Sequence, residues 1–435
     1  MAKRIVVVGG GAAGATAAAK AKRVDPGAEV VLVEAGPYVT HAPCAVPYAI
    51  AQAARLYIYS AEQFAREKGV VVYTNTKAEV GEGSRLKLSG AVSGALEWDV
   101  LIIATGASPR VPQVDGIELE GVQVVRHPAE VEAVKKALEH ARRVVVVGGG
   151  YIGLEMAEVL LAGGKEVVLL ESGRWILNKM LDEDMARLVE QYVAARGGRL
   201  RLGESLTRIV GRGRVEKVET TRGSAEADAV VLATGVRPNV ELAKALGTRL
   251  GETGAVWTDE FLETSVSGVY AAGDVAEVVH KVTGRRTWMP LAPYANKMGY
   301  VAGHNAGAGE KRFKFPPVVG AAVTKFFDMY IGKAGLGEAE ARQYGIDATS
   351  AVVKTSDKAA FMPDAREIYV KAVASRGVLI GVEVVGFSPY VAAVVDFAAQ
   401  LIGRPVEEVI LAEYSYMPHT GPVWHPLVSA ARLLD

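Results

Sequence analysis

The chain has 435 residues, of which 50% are hydrophobic and 23% charged, with 49 Lys+Arg balanced by 49 Asp+Glu. This length allows about three domains with ample apolar surface to bury, and a net charge of zero argues against nucleic acid or an acidic membrane as partner. The single cysteine, Cys44, excludes an intrachain disulfide and suits a reducing compartment.

The run KRIVVV opens a strand within a few residues of the start and leaves no room for a signal peptide. No apolar stretch reaches the ~20 residues of a membrane span, and the late run YVAAVVDFAAQLI, interrupted by Asp396, reads as a buried helix. A cytoplasmic protein without membrane association is expected.

The first unit, RIVVVGGGAAGATAAA followed by EVVLVE, is a strand, a glycine-rich turn, a helix and a second strand closing on Glu34. Its glycines, Gly9, Gly11 and Gly14, fit G-x-G-x-x-G. The first makes a tight turn, the second lets backbone approach a pyrophosphate, and the third lets helix pack on strand. Ala12 and Ala13 then begin the helix, whose free N–H groups attract phosphate, while Glu34, followed by Ala35, is placed for a ribose diol. Cys44 comes next, in THAPCAVPYAI, bracketed by Pro43 and Pro47. It is either a small buried hydrophobe or a reactive thiol. His41, three residues earlier, is a candidate partner for the thiolate or a structural group of the turn.

WDVLIIATGASPR then reads as an apolar strand ending in Ala104-Thr105-Gly106, with glycine allowing backbone to pass close to a cofactor. The whole device recurs in RVVVVGGGYIGLEMAE and EVVLLE, with Gly148, Gly150, Tyr151, Ile152 and Gly153 in the loop and Glu171 as the terminal acid. ADAVVLATGVRPN repeats the closing strand, ending at Gly235. Two matched copies imply two dinucleotides, most economically FAD and NAD(P)H. Glu171 would repel a 2′-phosphate, and Arg174 nearby softens that preference for NADH. A further strand ends at Gly273-Asp274, where the acid is either a helix N-cap or a partner for a cofactor hydroxyl. No His, Cys and carboxylate cluster has metal-ligand spacing.

Together these features resemble the FAD-dependent pyridine nucleotide-disulfide oxidoreductases over nearly the whole chain. The resemblance implies an α/β fold of two Rossmann-like dinucleotide-binding domains, the second inserted in the first, and a C-terminal α+β dimerisation domain. Residues 1–112 and 244–315 would bind FAD, 113–243 would bind NAD(P)H, and 316–435 would form the homodimer. PLAPYANKMGYVAGHNAG would be the helix whose start, at Pro290, Leu291 and Ala292, faces the flavin and stabilises negative charge on it.

HAPCAVPY resembles the single-cysteine branch: coenzyme A disulfide reductases, NADH oxidases and peroxidases, and NADH-dependent sulfur or polysulfide reductases. Cys44 would then lie beside the flavin at the start of a helix and form a mixed disulfide or persulfide. Coenzyme A would be substrate or adduct, and small disulfides, persulfides or polysulfides the substrate class. Oxidases and peroxidases usually carry histidine where this loop has Ala12, which favours disulfide over peroxide. Of two tyrosines expected near the substrate disulfide, Tyr416, with Tyr414 as neighbour, matches the tail one, either donated across the dimer as proton donor or packed at the interface. The other falls at Phe361-Met362. His425-Pro426 superficially resembles the acid/base pair of two-cysteine relatives, although VWHPL fits the single-cysteine tail.

Overall fold

The computed structural model describes residues 2–52 and 54–434. β-Branched runs favour pleated strands, and RIVVV forms β1 (Arg4–Val8). α1 (Ala12–Val24), β2 (Glu29–Val33) and the short α2 (Val46–Ala51) follow. β1 pairs in parallel with β2 on one side and Val100–Ile103 on the other, and Val71–Tyr73 and Val269–Ala271 complete a five-stranded sheet. Ile5, Val6, Val7, Leu101, Ile102 and Ile103 are wholly buried, as a parallel sheet covered on both faces requires.

The second unit repeats the plan with β3 (Arg143–Val147), α3 (Tyr151–Ala162) and β4 (Glu166–Glu171). Arg199–Leu202, Ala229–Leu232 and Val122–Val124 extend its sheet, again all parallel. The fifth strand precedes the glycine loop here, whereas in the first sheet the corresponding strand returns after the second unit. α4 (Ala292–Ala308) covers the first sheet and presses on α1. A Cβ on Gly299 or Gly303 would overlap the carbonyl oxygen of Ala13 or Ala17, and Gly307 similarly faces Ala21. The four-residue spacing on both helices aligns these small residues in one stripe.

The third unit is an antiparallel five-stranded sheet ordered Ala322–Phe326, Met329–Gly335, Val378–Gly386, Glu367–Ser375 and Thr349–Ser356. α5 (Tyr390–Leu401) buries Val391, Val394, Val395 and Ala398, so YVAAVVDFAAQLI is the buried helix its sequence suggests. α6 (Pro426–Ala431) packs on the outer strands. No helix among the described residues is long and apolar enough to cross a membrane. The fold is thus α/β with two Rossmann-like units and an α+β third unit.

Acids do gather where the second unit meets the third, at Asp182, Asp184 and Glu383. The ammonium of Lys371 lies among them, 3.0 Å from Asp182 and 2.9 Å from Asp184. A buried charge held by opposite charges is the expected compensation for desolvation.

Candidate active site

The two glycine loops separate what packing demands from what a ligand demands. Gly9 and Gly148 have φ of +108° and +109°. A Cβ on either would strike the carbonyl oxygen of Ala104 or Ala233, and one on Gly14 or Gly153 would strike that of Gly9 or Gly148. The first and third glycines are therefore fixed by the protein itself. The second are not: a Cβ on Gly150 would meet nothing within 4 Å, and one on Gly11 only the His41 imidazole at 3.5 Å. That space lies at helix starts. α1, α3 and α4 all begin without a side-chain cap, on Gly11, Gly150 and Leu291, leaving first-turn N–H groups for a ligand. Ala12 and Ile152 are half-buried in the first turns, and Ala292 is exposed after half-buried Pro290. Ala13 instead turns its side chain into the protein, under Gly273, while Gly299 packs on its backbone.

Each terminal acid braces its own loop. Glu34 accepts from the N–H groups of Gly10 and Gly36, both at 2.6 Å. Glu171 does the same with Gly149 and Gly173, both at 2.6 Å, and Asn178 adds a longer contact. Four lone-pair sites per carboxylate leave capacity for a ribose diol. Ala35 is exposed beside Glu34. Arg174 is 80% exposed and faces Glu183 at 3.6 Å, so its guanidinium is not engaged with Glu171.

The two Ala-Thr-Gly turns are joined. Thr105 Oγ1 donates to the Asn239 carbonyl at 2.7 Å, Asn239 Nδ2 returns to the Thr105 carbonyl at 2.9 Å, and Thr234 donates to Arg110. The N–H groups of Asn239 and Arg110 reach the carbonyls of Gly106 and Gly235, each at 2.9 Å. Asp274 is no helix cap, because a turn rather than a helix follows it. Its carboxylate instead pairs with Arg126 at 2.6 Å, and its carbonyl accepts from Trp288 Nε1 at 2.7 Å.

Cys44 is exposed in a single 3₁₀ turn, Pro43–Ala45, that runs into α2. The turn is anchored before the cysteine. Thr40, at a φ of +55°, donates its N–H to Gly10 at 2.8 Å, and Ala42 donates to Leu56 at 2.8 Å. Behind α2 lies a polar cluster that sequence reading missed. Glu155 on α3 accepts from Thr324 Oγ1 at 3.0 Å, and burial pushes its carboxyl up to about 7. Glu158 pairs with Lys325, whose ammonium lies 5.7 Å from the centre of the Tyr48 ring. Burial, Glu155, Glu158 and Cys44 together push the Tyr48 hydroxyl up, and burial with Glu155 does the same to Tyr151. The available signal was two acids in the otherwise apolar helix YIGLEMAEVLLA.

The tail candidates separate. Tyr414 donates to the Val423 carbonyl at 3.0 Å. His425 is buried, caps α6 through Leu427 N–H at 3.2 Å, and is lowered by burial to about 4. Tyr416 remains 44% exposed, and Phe361 74%. Both lie on one edge, since Ala359 N–H reaches the Pro418 carbonyl at 3.0 Å.

Residues 3–299 match the pyridine nucleotide-disulphide oxidoreductase model, and residues 321–416 match the dimerisation domain of that family. The NAD(P)H coenzyme A polysulfide/persulfide reductase of Pyrococcus horikoshii is 43% identical, covering 100% of this chain and 99% of its own length. An NADH oxidase of Methanocaldococcus jannaschii is 34% identical, covering 98% of each. The structure of an NAD-dependent persulfide reductase from A. fulgidus superposes with a TM-score of 0.95 at 34% identity, over 99% of this chain and 83% of that one. FAD and NAD(P)H, the cofactors of this family, fit the uncapped helix starts and the open second glycines, and the dimerisation domain supports a homodimer. The chain belongs to the pyridine nucleotide-disulphide oxidoreductase family.

Proposed function

We propose that the chain is an NAD(P)H-dependent flavoprotein reductase of coenzyme A persulfide, polysulfide or coenzyme A disulfide, with Cys44 as its redox-active thiol. The carrying observation is the exposed Cys44 on a turn hung directly from the first glycine loop. The Pyrococcus and A. fulgidus relatives support the sulfur substrates. In this reading residues 1–112 and 244–315 hold FAD, 113–243 hold NAD(P)H and 316–435 form the dimer. A reduced lone thiol and a nicotinamide reductant both suit the cytoplasm.

FAD supplies a two-electron relay from the nicotinamide to sulfur. The Cys44 thiolate attacks the outer sulfur of a persulfide, breaking its S–S bond, taking that sulfur as a Cys44 persulfide and releasing coenzyme A thiolate. Two electrons and protons then return Cys44 and release hydrogen sulfide, so one NAD(P)H and one proton are consumed per persulfide. With a disulfide substrate the intermediate is the mixed disulfide. Tyr416, reaching across the dimer, protonates the departing thiolate. Phe361 stands where resemblance expects a second hydroxyl, which favours small persulfides over coenzyme A disulfide.

The NADH oxidase relative supports oxygen as an alternative acceptor; Ala12 in the first loop weighs against it. Anaerobic NAD(P)H turnover with coenzyme A persulfide, polysulfide, coenzyme A disulfide and peroxide, beside aerobic turnover with oxygen alone, decides the matter. Hydrogen sulfide release that disappears in Cys44→Ser is the expected result. Undiminished sulfur reduction by that variant would refute it.

A further inference from the structure

The two glycine loops differ in one respect that their common plan does not require. Around Gly150 the position of a Cβ is empty to 4 Å, whereas at Gly11 it is faced by His41, with Cε1 at 3.5 Å and Nε2 at 3.6 Å. His41 is held there from both sides. Its backbone bridges Tyr57, and Thr40 before it is bonded to Gly10. Its Nε2 is the nitrogen that faces this space, while its buried Nδ1 makes no hydrogen bond of good geometry and the ring feels the backbone of Tyr38.

The ring of His127 lies 4.8 Å away. Its Nδ1 accepts from Ala129 N–H, and its Cε1 and Nε2 lie 3.5 and 3.7 Å from the Cβ position of Gly36, whose N–H binds Glu34. Two imidazoles thus line the space between Gly11 and Glu34. Burial lowers the proton affinity of His41, Glu34 raises it, His127 lowers it, the Tyr38 backbone raises it and Arg126 lowers it. Arg126 is itself neutralised by Asp274.

We infer that His41, backed by His127, is a diphosphate-binding residue of the flavin site, and that FAD binding takes up a proton on His41. The inference rests on the first loop being the FAD site. A diphosphate placed before Gly11 adds negative charge beside His41 and favours its imidazolium. His41 also lies three residues before Cys44, so the same contact fixes the start of the cysteine turn when the cofactor is bound.

The test is FAD titration of deflavinated protein, read by flavin fluorescence between pH 5.5 and 8.5 as a span about the ordinary histidine value. Wild type should bind more weakly as pH rises. His41→Phe, which keeps a ring without nitrogen, should bind about tenfold or more weakly and lose the pH dependence. His41→Gln should recover part of the affinity but not the pH dependence. NADH binding at the second loop should be unchanged in both variants, which shows that they are folded. Wild-type affinity and pH dependence in His41→Phe would overturn the inference alone; a wild-type protein that binds no FAD would overturn the flavoprotein reading with it.

Discussion

Thr40 donates its backbone N–H to the carbonyl of Gly10 at 2.8 Å. The turn that carries the thiol is therefore suspended from the first glycine loop. Three residues separate Thr40 from Cys44, so a disturbance of the glycine loop reaches the nucleophile through a short, hydrogen-bonded path.

Gly150→Ala and Gly153→Ala should fail in different ways. The first adds a methyl group to open space and should leave melting unchanged while weakening NAD(P)H binding. The second collides with Gly148 backbone and should cost roughly 1–3 kcal/mol as overpacking. Thermal melting beside NAD(P)H titration checks both, and equal melting temperatures would contradict the assignment.

If the proposed site is shared across the dimer, complementation follows. Cys44→Ser and Tyr416→Phe homodimers should each be impaired, Cys44→Ser by roughly 10³-fold or more as a lost nucleophile. A heterodimer of the two contains one site with both native residues and should recover about half of wild-type sulfur reduction, counting sites in a symmetric dimer. Absence of recovery in purified heterodimer would mean that Tyr416 acts within its own chain or not at all.

Phe361→Tyr restores a hydroxyl on an exposed edge near the tail. If a missing proton donor limits coenzyme A disulfide, its kcat/KM should rise about tenfold or more relative to persulfide. Unchanged ratios would show that position to be irrelevant to substrate choice.

Two kinds of buried group should pull stability in opposite directions with pH. Burial raises Glu383 to about 8 and Glu155 to about 7. Between the ordinary carboxylate range and those values the folded state holds protons that the unfolded chain has lost, so stability declines as pH rises through the window. Burial depresses His425 to about 4, so its contribution is present above the ordinary histidine range and disappears as pH falls toward that value. Melting curves from pH 4 to 9, a range spanning those values, should lose the decline between the ordinary carboxylate range and about 8 in Glu383→Gln, and the rise between about 4 and the ordinary histidine range in His425→Phe. A wild-type slope in either variant would remove that residue from the explanation.

The glycine loops and terminal acids were legible because their geometry is local: a tight turn, a helix start and an acid at fixed spacing. Cys44 was legible by its isolation, and its exposure removes the buried-hydrophobe reading. Asp274 defeated the cap reading because its partner, Arg126, is 148 positions away in the chain. Glu155 and Glu158 escaped notice for a similar reason, as Thr324 and Lys325 come from the third unit. Periodicity marks acids on an apolar helix but cannot say what they meet. His425 was ambiguous as a His-Pro pair until its role in starting α6 was visible.

The paired Ala-Thr-Gly turns carry an evolutionary consequence. Residues 107–109 and 236–238 form a two-stranded ribbon with Ala107 opposite Pro238, so the inserted unit leaves and rejoins the first at one spot. A segment with adjoining ends can be exchanged as a cassette, since its replacement need only reproduce the ribbon and the threonine bonds beside it. The ligand preference of the inserted unit could thus change by substitution of a whole module, with the cysteine turn and the first unit left in place.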